Sequence, residues 1–161
     1  MPPASPPNTL WNIADLFEAI AARIPDEPAI IDRGHVYSWT KFERQADALA
    51  ADLVGRGASE GGRVGVGLHN CAEYLISYLA CFKARCVPFN INYRYNAKEV
   101  RYLVDDASAE ALIVDDDYVP TILDAAANRG VLVYGLDHGD LPDGVVSLGE
   151  VCRSGFHLLK A

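Results

Sequence analysis

The residues able to do chemistry in this chain are few, and their spacing narrows what they can do. Strand-like residues Arg63-Val-Gly-Val-Gly-Leu-His-Asn70 carry Gly65 and Gly67 just ahead of a helical stretch, the context in which glycines let a backbone approach a pyrophosphate at a helix N-terminus. The pattern is Gly-x-Gly-x-x-Asn, however, and the glycines lie inside the strand. No acidic residue ends the next strand at Phe89-Asn90, where a ribose-binding carboxylate belongs. Close packing against a neighbouring strand accounts for both glycines, and a nicotinamide-dependent oxidoreductase is left as a third reading. Of the lysines, Lys41, Lys83, Lys98 and Lys160, none stands in a glycine-rich loop, so no self-contained triphosphate site can be written.

Nucleophilic and metal chemistry are equally thin. The histidines are His35, His69, His138 and His157, and no Gly-x-Ser-x-Gly elbow accompanies them. His69 is the best placed, at the carboxyl end of a strand where open α/β sheets bind ligands; it reads otherwise as a polar loop residue or helix cap. Asp115-Asp116-Asp117 also follows a strand, as a cation-binding cluster or as a solvated turn opening a helix. Cys71, Cys81, Cys86 and Cys152 form no Cys-x-x-Cys pair and have no histidine at ligand spacing, which predicts buried free thiols in a reducing compartment and no metal site. No catalytic residue is assigned.

The elements that must position these groups follow from periodicity. Residues 1–8, rich in proline, are expected to be a disordered tail. Asn8 or Thr9 then caps a helix with Leu10, Ile13, Phe17, Ile20 and Ile24 on one face, stopped by Pro25 and Pro28. Ala29–Ile31 and Val36-Tyr37 make a hairpin around Gly34, which supplies the positive φ of the turn. Ser38 caps a second helix with Phe42, Ala46, Leu49 and Leu53 on its inner face, ending at Gly55-Arg56-Gly57.

From there strand and helix alternate. Strands are expected at 63–68, 86–89, 111–114 and 131–134, and helices at 71–85, 97–106 and 118–128. Pro88 is tolerable only at a sheet edge or strand start. The order predicts an α/β fold: a Rossmann-like parallel sheet with helices on both faces, preceded by helix, hairpin and helix. Four parallel strands make a small sheet, and open edges suggest that more sheet belongs to it. Beyond Gly135 the pattern thins, with a helical turn or two at 147–153.

Length and composition are compatible with one domain. The chain has 161 residues, half of them hydrophobic, enough for a sizeable core. A net charge of −8 argues against a nucleic-acid partner. The longest charge-free run near the middle, Tyr74 to Phe82, is far below the roughly 20 residues of a membrane span. The start lacks the basic region of a secretory signal, so a soluble cytoplasmic protein is expected.

The most informative stretch is FKARCVPFNINYRY at residues 82–95, continued by Asn96-Ala-Lys-Glu-Val-Arg-Tyr-Leu-Val-Asp-Asp106 and preceded by RVGVGLHNCAEYL at residues 63–75. Together with Asn12-Ile-Ala-Asp-Leu-Phe-Glu-Ala and Tyr37-Ser-Trp-Thr-Lys-Phe42, it resembles the N-terminal part of a fatty-acyl-CoA synthetase of the adenylate-forming, AMP-binding superfamily, of actinobacterial and mycobacterial type. The resemblance covers about residues 9 to 130, so that 9–150 is taken as an N-terminal subdomain of such an enzyme and 151–161 as a tail of uncertain kind.

What the resemblance implies is a two-step reaction in the intact enzyme. ATP and a fatty acid give an acyl-adenylate and pyrophosphate, with Mg²⁺ offsetting phosphate charge, and the thiol of CoA then attacks the adenylate. The family's phosphate loop, Mg-binding glutamate, ribose-binding aspartate and C-terminal lysine have no counterpart in these residues, so ATP, Mg²⁺ and CoA are not expected to bind this chain tightly and the chain alone is expected to be inactive. Arg94 matches an arginine that in some relatives lies near the nucleotide end of CoA, where a guanidinium suits phosphate. The other reading is a turn-stabilising arginine paired with Asp105 or Glu99. Departures from the family pattern are Cys81 and Cys86 in place of small residues, His69 for a common proline, Gly62 for a common aspartate, and Lys41 where a capping glutamate would complete the Ser38 cap. An alternative to the ligase reading is a non-catalytic α/β module that pairs with itself or with a separate downstream polypeptide through open sheet edges.

Overall fold

A computed structural model of the chain describes residues 12–136 and 139–154. The expected tail at 1–8, the helix positions before residue 12, His138, His157 and residues 155–161 lie outside the described residues.

Helix α1 spans Ile13–Arg23 and is capped by Asn12, not by Asn8 or Thr9. The Asn12 side chain accepts from the Ala14 N–H at 3.0 Å while the Asp15 carboxylate accepts from the Asn12 N–H at 2.9 Å. That reciprocal pair satisfies two helix-end donors and sets the start of the helix. The expected apolar face is only lightly covered: Ala14 is buried, Phe17 half-buried, and Ile13 and Ile24 are exposed.

Strands β1 (Pro28–Asp32) and β2 (His35–Ser38) form the antiparallel hairpin. Arg33 at φ 47° and Gly34 at φ 82° make its two-residue turn, the mirror-image geometry that matches strand twist. Helix α2 (Trp39–Gly55) follows, with Ser38 accepting from the Lys41 N–H at 3.2 Å and no reciprocal carboxylate. The Lys41 ammonium lies instead 3.9 Å above the Tyr37 ring.

The main sheet contains β3 (Arg63–Gly67), β4 (Val87–Asn90), β5 (Ala109–Val114), β6 (Leu132–Gly135) and β7 (Val145–Ser147), in spatial order β4-β3-β5-β6-β7 and parallel throughout. It has five strands, not four. The additional β7 is three residues long behind a Gly- and Asp-rich connection, too short to show a period of two. Pro88 falls on edge strand β4, where no outer neighbour requires its missing N–H.

Helices α3 (Ala72–Lys83), α4 (Ala97–Ala107), α5 (Val119–Ala126, entered through a 3-10 turn at Asp116–Tyr118) and α6 (Leu148–Ser154) complete the molecule. One core layer lies between the sheet and α2, α3 and α6, and includes Leu49, Leu53, Ile76, Tyr134 and Leu148. The other lies under α4 and α5, around Val100, Leu112 and Ile122. The central strands are therefore covered on both sides, as parallel strands require. Val151 and Cys152 are buried in α6.

The glycines of β3 belong to this packing. A Cβ on Gly65 would sit 2.6 Å from Ile91 Cδ1 and 2.7 Å from Leu112 Cδ2. The space beside Gly65 is taken by side chains of β4, β5 and the loop after β4, so this glycine serves close packing. Gly62 has a similar cause: the Glu110 carboxylate, which accepts from the Ser59 N–H at 2.8 Å and its hydroxyl at 2.5 Å, occupies the space of a residue-62 side chain.

Candidate functional site

Strand order alone locates a crevice. The chain passes from β3 to β4 on one side, then places β5 on the other side of β3, so the direction of winding reverses between β3 and β5. Loops leaving the carboxyl ends of two such strands diverge to opposite faces and leave a ligand-sized gap. Here those loops are Leu68–Cys71 after β3, Asp115 after β5, and Ile91–Asn96 after the neighbouring β4.

Two clefts open at these strand ends, the first between the loops after β3 and β4 and the second between those after β3 and β5. One, about 450 Å³, is lined by Asn70, Tyr74, Asn90, Asn92, Tyr93 and Arg94 together with apolar Leu68 and Ile91. Arg94 is its one charged residue. In a protein of net charge −8 this cleft holds amide and phenol groups and a guanidinium with no carboxylate, a lining suited to an anionic or phosphate-bearing ligand. The second, about 350 Å³, is lined by Asp32, His35, His69, Cys71, Glu73 and Asp115 among others, and is rich in carboxylates.

The loop carrying Arg94 is held at several points. Buried Ile91 donates its N–H to Val66 O at 2.8 Å. The Asn92 side chain accepts from the Arg94 N–H at 2.9 Å, and the Tyr118 hydroxyl donates to Tyr95 O at 2.5 Å. Arg94 itself is exposed, its guanidinium carbon 5.7 Å from the Tyr93 ring centroid. The turn pairing considered above is not formed: Asp105 bonds Arg129 at 2.6 Å, and Glu99 closes the α4 cap by accepting from the Asn96 N–H at 2.9 Å.

His69 and Asp115, noted separately in the sequence, come together. Asp115 Oδ2 accepts from the His69 N–H at 2.8 Å and lies 2.5 Å from His69 Nδ1, while the imidazole packs on Tyr93 with centroids 4.2 Å apart. Periodicity could not show this pairing; the parallel register that sets Gly67 beside Val114 brings the two strand ends together. The hairpin joins the same rim, since the Asp32 carboxylate accepts from the Ala72 N–H at 3.2 Å and supplies the start of α3 with the cap that Cys71 lacks.

Among the described residues, one carboxylate group has metal-like spacing: Glu18, Glu43 and Asp47. Lys83 already supplies the cation, its Nζ lying 2.7, 2.7 and 2.8 Å from the three. The cysteines are unpaired thiols. Burial pushes Cys71 up to about 11 and Cys152 up to about 12, so neither is a thiolate at neutral pH.

Comparison with known proteins decides the family. The AMP-binding enzyme family matches residues 17–150. The chain belongs to that family. Similar relatives include a medium/long-chain-fatty-acid–CoA/3-oxocholest-4-en-26-oate–CoA ligase of Mycobacterium marinum, 32% identical over 111 residues, covering 69% of this chain and 20% of the relative. The 3-oxocholest-4-en-26-oate–CoA ligase of Rhodococcus rhodochrous is 34% identical over 107 residues, covering 66% and 19%. A long-chain-fatty-acid–CoA ligase of Escherichia coli is 28% identical over 117 residues, covering 72% and 21%. The chain thus spans about a fifth of the length of these relatives.

Solved structures agree on the fold. An anthranilate CoA ligase in complex with anthranoyl-AMP superposes with a TM-score of 0.82 at 21% identity, over 89% of this chain and 28% of that one. Apo MatB from Rhodopseudomonas palustris gives 0.72 at 29% identity, over 89% and 28%. This part of the AMP-binding fold is the five-stranded parallel sheet described above, and none of its described helices is long and apolar enough to cross a membrane.

Proposed function

We propose that these residues form the N-terminal portion of a medium- or long-chain fatty-acid–CoA ligase, which joins a fatty acid to CoA through an acyl-adenylate at the expense of ATP, and that the Arg94 cleft receives the phosphate-bearing end of CoA. The observation that carries the reading is the family match over 17–150, together with fatty-acid–CoA ligases among the relatives. A carboxylate-free cleft with one guanidinium at the carboxyl ends of β3 and β4 supports the assignment of Arg94. ATP, Mg²⁺ and CoA are the cofactors and substrates of the whole enzyme. The free thiols support a reducing cytoplasmic setting.

On this reading, residues 1–161 supply scaffold and one edge of a CoA approach but no phosphate loop. ATP–pyrophosphate exchange with fatty acids is therefore expected at background for this chain; turnover above a heat-killed control overturns that part. In an NMR titration with millimolar CoA, resonances of residues 90–95 are expected to shift. Arg94→Ala should weaken that binding roughly tenfold, the loss expected for a hydrogen bond to a charged group. Unchanged affinity removes Arg94 from the site.

A second reading, a non-catalytic module that pairs with a second copy or with the remainder of the enzyme, is favoured by exposed Ile13 on α1 beside exposed Leu75 on α3. The sheet edges themselves support it poorly. β4 has four residues including Pro88 and β7 has three.

A further inference from the structure

The loops at the switch point contain an arrangement that the Arg94 reading leaves unused. The Asp115 carboxylate, whose side chain is 14% exposed, holds His69 by backbone and ring at once. The imidazole lies against Tyr93 with an interplanar angle of 32°, and the residue after Tyr93 is Arg94, whose guanidinium faces the same ring. Carboxylate, imidazole, phenol and guanidinium thus run in sequence from the end of β5, past the end of β3, to the loop after β4. The His69–Tyr93 stack also stands between the acidic cleft and the Arg94 cleft, since His69 lines one and Tyr93 the other.

We propose that Asp115 and His69 are positioning residues for the 91–96 loop, fixing the Tyr93 ring and through it presenting the Arg94 guanidinium to the phosphates of CoA; this rests on the Arg94 reading above. The bonds from the Arg94 N–H to the Asn92 side chain and from the Tyr118 hydroxyl to Tyr95 O fix the loop's path without engaging the Tyr93 ring or the Arg94 guanidinium. Arg94 makes no ion pair among the described residues, so a ring held beside it restricts an otherwise mobile side chain before a ligand arrives. Restriction in the free protein lowers the ordering cost of binding. The device needs a backbone N–H for Asp115 and an aromatic face for Tyr93 at position 69, and a proline there would supply neither.

The test uses the uniformly labelled 161-residue chain, and CoA as the probe. In the unaltered chain the His69 ring protons should be displaced upfield by the Tyr93 ring current, and Tyr93→Leu should abolish the displacement. His69→Ala and Asp115→Ala should each weaken CoA binding about two- to tenfold, the range of an aromatic contact. His69→Phe, which keeps a ring face, should recover part of the loss, and Asp115→Asn, which keeps an acceptor, should bind nearly as well as the unaltered chain. These two conservative variants decide the matter even where an alanine variant fails to fold. Binding lost in Arg94→Ala but unchanged in His69→Ala and His69→Phe overturns the positioning role alone. No CoA-induced shift at residues 90–95 overturns the Arg94 reading and the positioning role with it.

Discussion

Lys83 supplies the positive charge for three carboxylates whose spacing would otherwise suit a cation. Its side chain is only 7% exposed, yet the ammonium touches carboxylates from α1 and α2, so a single cation joins three helices. Burial alone would pull its pKa down; the three carboxylates more than reverse that and hold it above the ordinary lysine value. Glu43 is held above the usual carboxylate range by burial, against the opposing pull of Lys83. A raised carboxyl pKa means that the folded state favours the protonated form, so this contribution to stability is present at low pH and lost as pH rises through the folded pKa. Lys83→Met therefore leaves Glu43 buried as an unpaired charge, with an expected loss of about 3–5 kcal/mol near neutral pH. The deficit should shrink as the solution is acidified and Glu43 takes up a proton, and adding Glu43→Leu should recover much of it. Urea midpoints at two pH values measure this; a neutral-pH loss below about 1 kcal/mol would refute the account.

At the scale of elements, the central strand is decided by its neighbours. β3 alternates valine with glycine because Val64 and Val66 are buried on one side while Ile91, Leu112 and Phe89 crowd the other. Gly65→Ala is expected to destabilise by about 1–3 kcal/mol, since the inserted methyl must displace packed side chains. A lowered urea midpoint at unchanged slope is the signature, and an unchanged midpoint contradicts the packing explanation. Most helices and strands were legible from periodicity and caps because their patterns extend over two turns or four alternating positions. The misplaced cap of α1 and the missing β7 have physical reasons. Several Asx or Ser/Thr residues near a helix start compete as caps, and only the Asn12–Asp15 reciprocal bonding selects one. β7 owes its existence to pairing with β6 rather than to its own three residues.

For the molecule as a whole, short and proline-blunted sheet edges argue for a chain that does not polymerise through its strands. Light scattering is expected to give a monomer in dilute solution, and a stable dimer would favour the pairing module over the ligase portion. The α/β class and the resemblance to acyl-CoA synthetases were readable in the linear chain, because each depends on local periodicity or on residue identity in order. Arg94 was readable as a candidate, but not the cleft without carboxylates that surrounds it. The meeting of His69 with Asp115, the packing of Tyr93 on His69, and the capture of Lys83 by three acids join residues up to 65 positions apart. Tertiary structure alone decided these, because parallel strand register and helix packing, which set such distances, are satisfied only when all the elements are assembled.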